Sequence, residues 1–331
     1  MPSSRALLLA PLTLCFVLAC TSRRESVSEP DAKQVQVPFA ELKPSATLKV
    51  GGTADWVLIT DNAVWVASTE PFAVHRINPA TNKIIAAVKI PAEACSGMAS
   101  GFGSIWVPVC GAKPALVRVD EATNTISATL AIASAGPEGG ITTSNDSVWI
   151  ATDAKGTLAR IDPSTNRVRQ RISIPPGSYN PLFDNGIVWV TGIESSVLTA
   201  VDAATGQVME SVPVGPQPRF LTAGGGSVWT LNQGDGTISR VEEKTRKLIA
   251  TIPAGIPGEG GDIDFGAGAV WPTVFKVPLT RIDVATNTVV RQWVGTGGDS
   301  LRCGFDSIWI TDYKQGLLSR IRFQDVSTVG R

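Results

Sequence analysis

The chain has only one histidine, His75, among 331 residues. A lone imidazole excludes any metal site built from several histidines, and no zinc-ligand spacing of cysteines is present. No serine sits in a nucleophile-elbow context either. Neither sign of charge is in excess, since 29 Lys and Arg balance 29 Asp and Glu. Nor is there a basic cluster with interleaved aromatics, which sets nucleic-acid binding aside. Long charged runs are missing as well. What is plentiful is glycine and proline, 32 and 22 residues, a composition suited to many short strands joined by tight turns.

The amino terminus is read as an export segment. Arg5 supplies a short positive region, and residues 6–19 form an apolar stretch too short to span a bilayer comfortably. Val17-Leu18-Ala19-Cys20 looks like a bacterial lipobox with Cys20 as the acylated residue. Leu18 stands where a smaller residue is usual, so cleavage with release into the medium is the alternative. Residues 1–19 are thus assigned as signal peptide, 20–44 as a lipid-anchored flexible tether and 45–331 as one domain. The expected location is the cell envelope, lipid-anchored, or else secreted; contact with a membrane is expected only through that anchor.

Cysteines fit the same compartment. Cys95 and Cys110 lie at equal distances from the turn at Gly101-Phe102-Gly103-Ser104. A hairpin there sets them opposite each other, either as two buried thiols or, favoured by the symmetry, as a disulfide. Cys303 is left over and is expected to be a small core residue.

Tryptophan carries the strongest pattern. Trp65, Trp106, Trp149, Trp189, Trp229, Trp271 and Trp309 recur every 38 to 43 residues, in phrases such as AVWVA, SIWVP and SVWIA. A strand-based period near forty residues predicts an all-β, seven-bladed propeller of four-stranded blades. One tryptophan per blade inside an apolar strand predicts packing between blades. The turn between third and fourth strands recurs as NPATN, DEATN, DPSTN, DAATG, EEKTR and DVATN. Asn82, Asn124, Asn166, Gly206 and Asn287 share one place there, and both residue types tolerate a left-handed backbone. Arg246 stands at that place too, so its turn is expected to be strained or differently shaped. Pro108 and Pro272 follow the repeat tryptophan and are expected to cause bulges. The last repeat ends after three strands, and residues 46–50 read as the spare outer strand that completes it and removes the open edges.

The strand phrase followed by L-x-R-I-D-P-x-T-N is similar to bacterial YVTN-type propellers and resembles the streptogramin B (virginiamycin B) lyase family of seven-bladed propellers. The resemblance spans about 45–323 and rests on strand and turn residues. The lyase family implies a magnesium-assisted ring-opening elimination at the channel mouth with a histidine base. This chain departs there: His75 aligns within a third strand, away from the mouth, so no catalytic residue is carried over and a binding role is preferred to an enzymatic one.

Counting ten residues back from each tryptophan, within one place, gives the rim of the channel: Asp55, Ser96, Glu138, Tyr179, Arg219, Asp262 and Asp299. Loops between second and third strands add Glu70, Asp153, Glu194, Asn232, Lys276, Asp312 and Tyr313. Asp264 and Arg302 stand seven residues before their tryptophans in adjacent blades and are expected to pair. The segments PEGG at 137–140 and GEGG at 258–261 are read mainly as tight turns. The ligand-binding candidates are Asp55, Glu138, Tyr179, Arg219, Asp262, Asp299 and Arg302. Glu259, Asp262 and Asp264 form a candidate set for Mg²⁺ or Ca²⁺, if any cofactor is used. The expected function is an envelope propeller, a monomer, that binds a small ligand or protein segment at the mouth. The alternatives are a cation-dependent lyase or lactonase, and a purely structural scaffold for partner proteins.

Overall fold

The computed structural model describes residues 35–327. Cys20, the lipobox and the export segment therefore lie outside the described residues. Seven antiparallel sheets form the predicted blades, with inner strands Ala54–Ile59, Ala99–Gly101, Ile141–Thr143, Ser178–Asp184, Pro218–Gly224, Asp262–Gly266 and Leu301–Gly304. We number the blades 1 to 7 in that order.

The repeat tryptophans do the packing expected of them. All seven are fully buried. Each meets the next blade: Trp106 lies with Val148 and Ile150 of blade 3, Trp149 with Val188 and Val190 of blade 4, and Trp309 with Val64 and Val66 of blade 1. In six blades a third-strand arginine stacks on this indole, as Arg240 does on Trp229 at 4.6 Å. Its guanidinium then crosses to the following blade's outer turn: Arg240 donates to the Val284 carbonyl at 2.7 Å and to Asn287 Oδ1 at 2.8 Å. The indole face, the cation and the turn carbonyl thus satisfy one another across five of the seams, while Arg281 of blade 6 donates to the Ser327 carbonyl of the short C-terminal helix.

The ring closes as anticipated, with Ala46–Lys49 pairing antiparallel to Leu317–Arg322 as the outer strand of blade 7. Within the segment expected to be a tether, Gln36–Pro38 instead adds a fifth strand to blade 6, parallel to its outer strand. Val37, Phe39 and Leu42 pack beside the buried Trp293, which supplies the apolar area that orders this stretch. The disulfide forms, Cys95 to Cys110, with 5.7 Å between the α-carbons.

One local expectation, the proline bulges, needs correction. Neither proline makes a bulge: Pro108 pairs in register with Leu116, and Pro272 pairs in register with Ile263 while the ladder on its other side ends at Val270. The register shifts recur between third and fourth strands in blades 1 to 6, beside the arginine position. The Arg246 turn keeps the shape of its relatives, with φ of +53° and the same closing bond from its N–H to the Glu242 carbonyl at 2.8 Å. It is strained in the sense expected, but not reshaped.

Candidate functional site

Closing blade 7 onto blade 1 brings Asp299 and Asp55 together at the mouth, close enough for each carboxyl to perturb the ionisation of the other. Asp55 Oδ1 also accepts the Trp56 N–H at 2.7 Å, and Asp299 Oδ1 accepts the Gly261 N–H at 3.1 Å. Burial, then the partner's charge and that of Glu138, push Asp55 well above the ordinary carboxylate range. Asp299 is pushed up to about 7, burial being the largest cause and Glu138 and Asp262 adding to it. Two neighbouring carboxyls recessed in this way cannot both ionise cheaply, which favours the protonated form of one of them near neutral pH.

Glu138 and Arg219 answer each other within the rim. Arg219 meets Glu138 at 3.2 Å and lies 5.3 Å over the Tyr179 ring, whose hydroxyl donates to the Pro137 carbonyl. Burial raises the Tyr179 phenol above its usual value. Glu138 occupies a left-handed position at φ +60°, which turns the PEGG segment toward the mouth. At Gly140 an added Cβ would come within 2.2 Å of Asn180 Oδ1, so the glycine there serves close packing as well as the turn. Ser96 is fully buried and donates to Ser134 Oγ at 3.0 Å, leaving it a structural role in this ring.

Arg302 pairs with Asp262, at 2.5 Å, and not with Asp264 as the sequence spacing suggested. Side chains two apart on a strand share a face, and spacing alone does not say which of them reaches a given neighbour. Asp262 also accepts bonds from Ser300 Oγ and the Ile263 N–H, both at 2.9 Å. Asp264 instead accepts the Cys303 N–H at 2.7 Å and the Thr222 hydroxyl at 3.1 Å. Burial raises the Asp264 carboxyl, with Arg302 opposing the rise. For Arg302, burial works toward a lower value, but Asp262 and Asp264 outweigh it and hold the guanidinium charged. Cys303 is a free, partly buried thiol packed between blades 6 and 7.

The suggested cation set does not converge. Glu259 is exposed, Asp262 is committed to Arg302 and Asp264 to its two donors. Among the described residues no three carboxylate, cysteine or histidine side chains are arranged to hold a metal ion. His75 is buried in its strand, and Ser68 Oγ lies 2.8 Å from Nε2. Burial lowers its pKa, as suits a structural residue. Asn232, assigned to a rim loop, is fully buried within blade 5, donating to Thr237 and Ser239 hydroxyls at 2.9 Å each.

Three residues escaped the sequence reading. Asn180 ties blades 3 and 5 together, its side-chain amide donating to the Glu138 carbonyl at 3.1 Å and the Arg219 carbonyl at 2.9 Å. Trp56 and Phe220 meet across the channel with ring centres 6.3 Å apart. Below the rim the channel holds a cavity of about 250 Å³, walled by inner-strand residues of all seven blades, including Trp56, Asp262 and Arg302. One signal was available: Trp56 is a tryptophan off the repeat period, next to a rim aspartate.

No family model matches the chain, and no curated protein matches it in sequence. Solved structures do match in fold. One is BamB from Moraxella catarrhalis, aligned over 86% of this chain and 98% of that one, with a TM-score of 0.62 and 12% sequence identity. At that identity the likeness is one of architecture. It supports the β-propeller, while the finer YVTN-type or streptogramin-lyase kinship rests on the repeat motifs alone.

Proposed function

We propose that this chain is a cell-envelope propeller, carried by a lipid anchor at Cys20 or released, that binds a small ligand or protein segment at its channel mouth. The observation that carries this reading is the Asp55–Asp299 pair. The other charged inner-strand residues of the rim have counter-ions within the ring, as Glu138 has Arg219 and Arg302 has Asp262. The acid pair has no basic partner, and keeping it buried costs stability. A fold that retains such a cost at the channel mouth is organised for recognition there. The disulfide supports an oxidising compartment.

A photo-crosslinking amino acid placed at Glu259 or Tyr313, compared with one at Thr123 on the opposite face, tests this in the producing cells. The reading expects a reproducible adduct from the two mouth positions and none from Thr123. Equal labelling from both faces would contradict it. A second, enzymatic reading is favoured by one feature only: a carboxyl near neutral pKa beside another is suited to general acid–base work on a lactone or cyclic ester. Turnover of such a substrate, abolished in Asp299→Asn, is what that reading requires.

A further inference from the structure

On the outer wall of the ring, the last strands of blades 2 and 3 leave between them an open groove of about 660 Å³. One side is the end of the blade 2 outer strand, residues 128–132, a sheet edge with no further strand beyond it among the described residues. Such an edge carries a row of unpaired backbone donors and acceptors. The other side is the blade 3 outer strand, which presents Arg167, Val168 and Arg171. Ala128, Ile132 and Val168 are partly buried and give the groove an apolar floor.

Blade 6 shows what fills such a place. There Gln36–Pro38 pairs with Gln292, Trp293 and Val294, and Val37 packs beside the Trp293 ring. Leu130 of blade 2 stands where Trp293 stands, each opposite a third-strand leucine, Leu116 and Leu279. Thr129, Leu130 and Ala131 are therefore the counterparts of the three residues that receive the added strand. In blades 4 and 5 the counterpart of Ala131 is a proline, Pro213 and Pro253, and in blade 1 it is Lys89. Proline and lysine close an edge to further pairing. Blades 2 and 3 have Ala131 and Ser173 there, and neither obstructs it. Of these two, only blade 2 faces basic residues, since the strand opposite blade 3, Val208–Pro213, has none.

Charge says what the groove would hold. Arg171 lies opposite Ala159, on the side of blade 3 turned toward blade 2. Arg167 and Arg171 are exposed, and neither is in an ion pair among the described residues, whereas Arg169 between them is held by Asp146 at 2.6 Å. Asp162, opposite Arg167, is committed to its own turn, where it accepts the Ser164 N–H at 2.8 Å. The blade 2 outer strand, Thr125–Leu130, has no charged residue at all.

We propose that this groove docks an extended acidic segment of a partner protein, added to blade 2 as a fifth strand. On the face turned to blade 3, the segment sets an apolar side chain over Leu130 and Val168, with a carboxylate two residues to either side for Arg167 and Arg171. The site lies on the outer wall and does not depend on what the mouth binds.

The test titrates the full-length mature protein with the capped peptide acetyl-SETVTES-amide, followed by amide ¹H–¹⁵N NMR. Saturable shifts are expected, largest at residues 128–132 and 167–171. Arg167→Glu/Arg171→Glu should weaken binding by roughly tenfold or more, and the lysine peptide acetyl-SKTVTKS-amide should bind the parent as weakly. Ala131→Pro changes no charge, copies blades 4 and 5, and should weaken binding by roughly fivefold or more. If that variant does not fold, a peptide N-methylated along its backbone keeps the charges, loses the strand donors and should show the same loss. Asp299→Asn should bind like the parent. Shifts centred elsewhere, equal affinity for the lysine peptide, or full binding by the N-methylated peptide would overturn the proposal. So would arginine-dependent binding of phosphatidylglycerol vesicles without binding of the peptide, which would assign the two arginines to a membrane surface.

Discussion

At the residue scale, the seams between blades explain a position that looked anomalous. Arg246 replaces the turn asparagine in blade 5. In blades 1, 2, 5 and 7 the third-strand arginine donates to that asparagine's Oδ1 across the seam, as Arg118 does to Asn166 at 2.9 Å. The blade that faces the Arg246 turn has Ala200 at the arginine position, paired opposite Trp189, so no donor calls for an acceptor there. The turn is free to lose its asparagine, at the expense of left-handed strain. Arg246→Asn should therefore be neutral or stabilising by roughly 0.5 kcal/mol. Asn287→Arg should cost about 1–2 kcal/mol, since it strands Arg240 and adds strain. Denaturant unfolding of both variants checks the contrast. None of this was legible in the repeat, because the arginine and its acceptor belong to different repeats.

Asp299 makes a pH prediction. Folding raises it from 3.8 to about 7, so between those values the folded protein binds more protons than the unfolded chain. Stability attributable to the group therefore falls as pH rises across that window. Asp299→Asn should flatten the profile by about 1 kcal/mol or more between pH 4 and 8. An unchanged slope would mean the carboxyl is not perturbed. His75 works in the opposite sense. Its lowered pKa leaves its contribution intact above its ordinary value of 6.5 and removes it as pH falls below.

At the scale of elements, the strand and turn chemistry was readable because each repeat restates it. The closing strand at residues 46–49 was found because one outer strand was missing from the last repeat and one was spare before the first. The fifth strand at Gln36–Pro38 was not found, since three residues carry no periodicity and their order comes from contact with Trp293. The same limit hid Trp56: a bulge changes which way one side chain points, and period-two alternation cannot register it. The disulfide joins residues 15 apart and fastens the loop entering blade 2, which carries Ser96 and, through the Cys95 carbonyl, receives the Glu138 N–H. Cys95→Ser/Cys110→Ser should lose about 3 kcal/mol in denaturant unfolding. The loss should be accompanied by faster amide exchange at 93–98 and 136–140, the two loops that meet there.

For the whole molecule, the count of blades and the position of the mouth followed from a period and a closure rule. The chemistry of the mouth did not, because it arises between blades distant in sequence. The sequence placed Asp55, Glu138, Arg219, Asp262, Asp299 and Arg302 near the channel, but which of them pair is decided by the ring. The acid pair exists only when blade 7 meets blade 1, so the raised Asp299 carboxyl reports both closure and the organisation of the mouth. The direct measurement is the pH titration of the Asp299 side-chain carboxyl by ¹³C NMR, assigned with Asp299→Asn. The ring described here gives a midpoint of about 7. Titration of both carboxyls below pH 5, independently of each other, would contradict it.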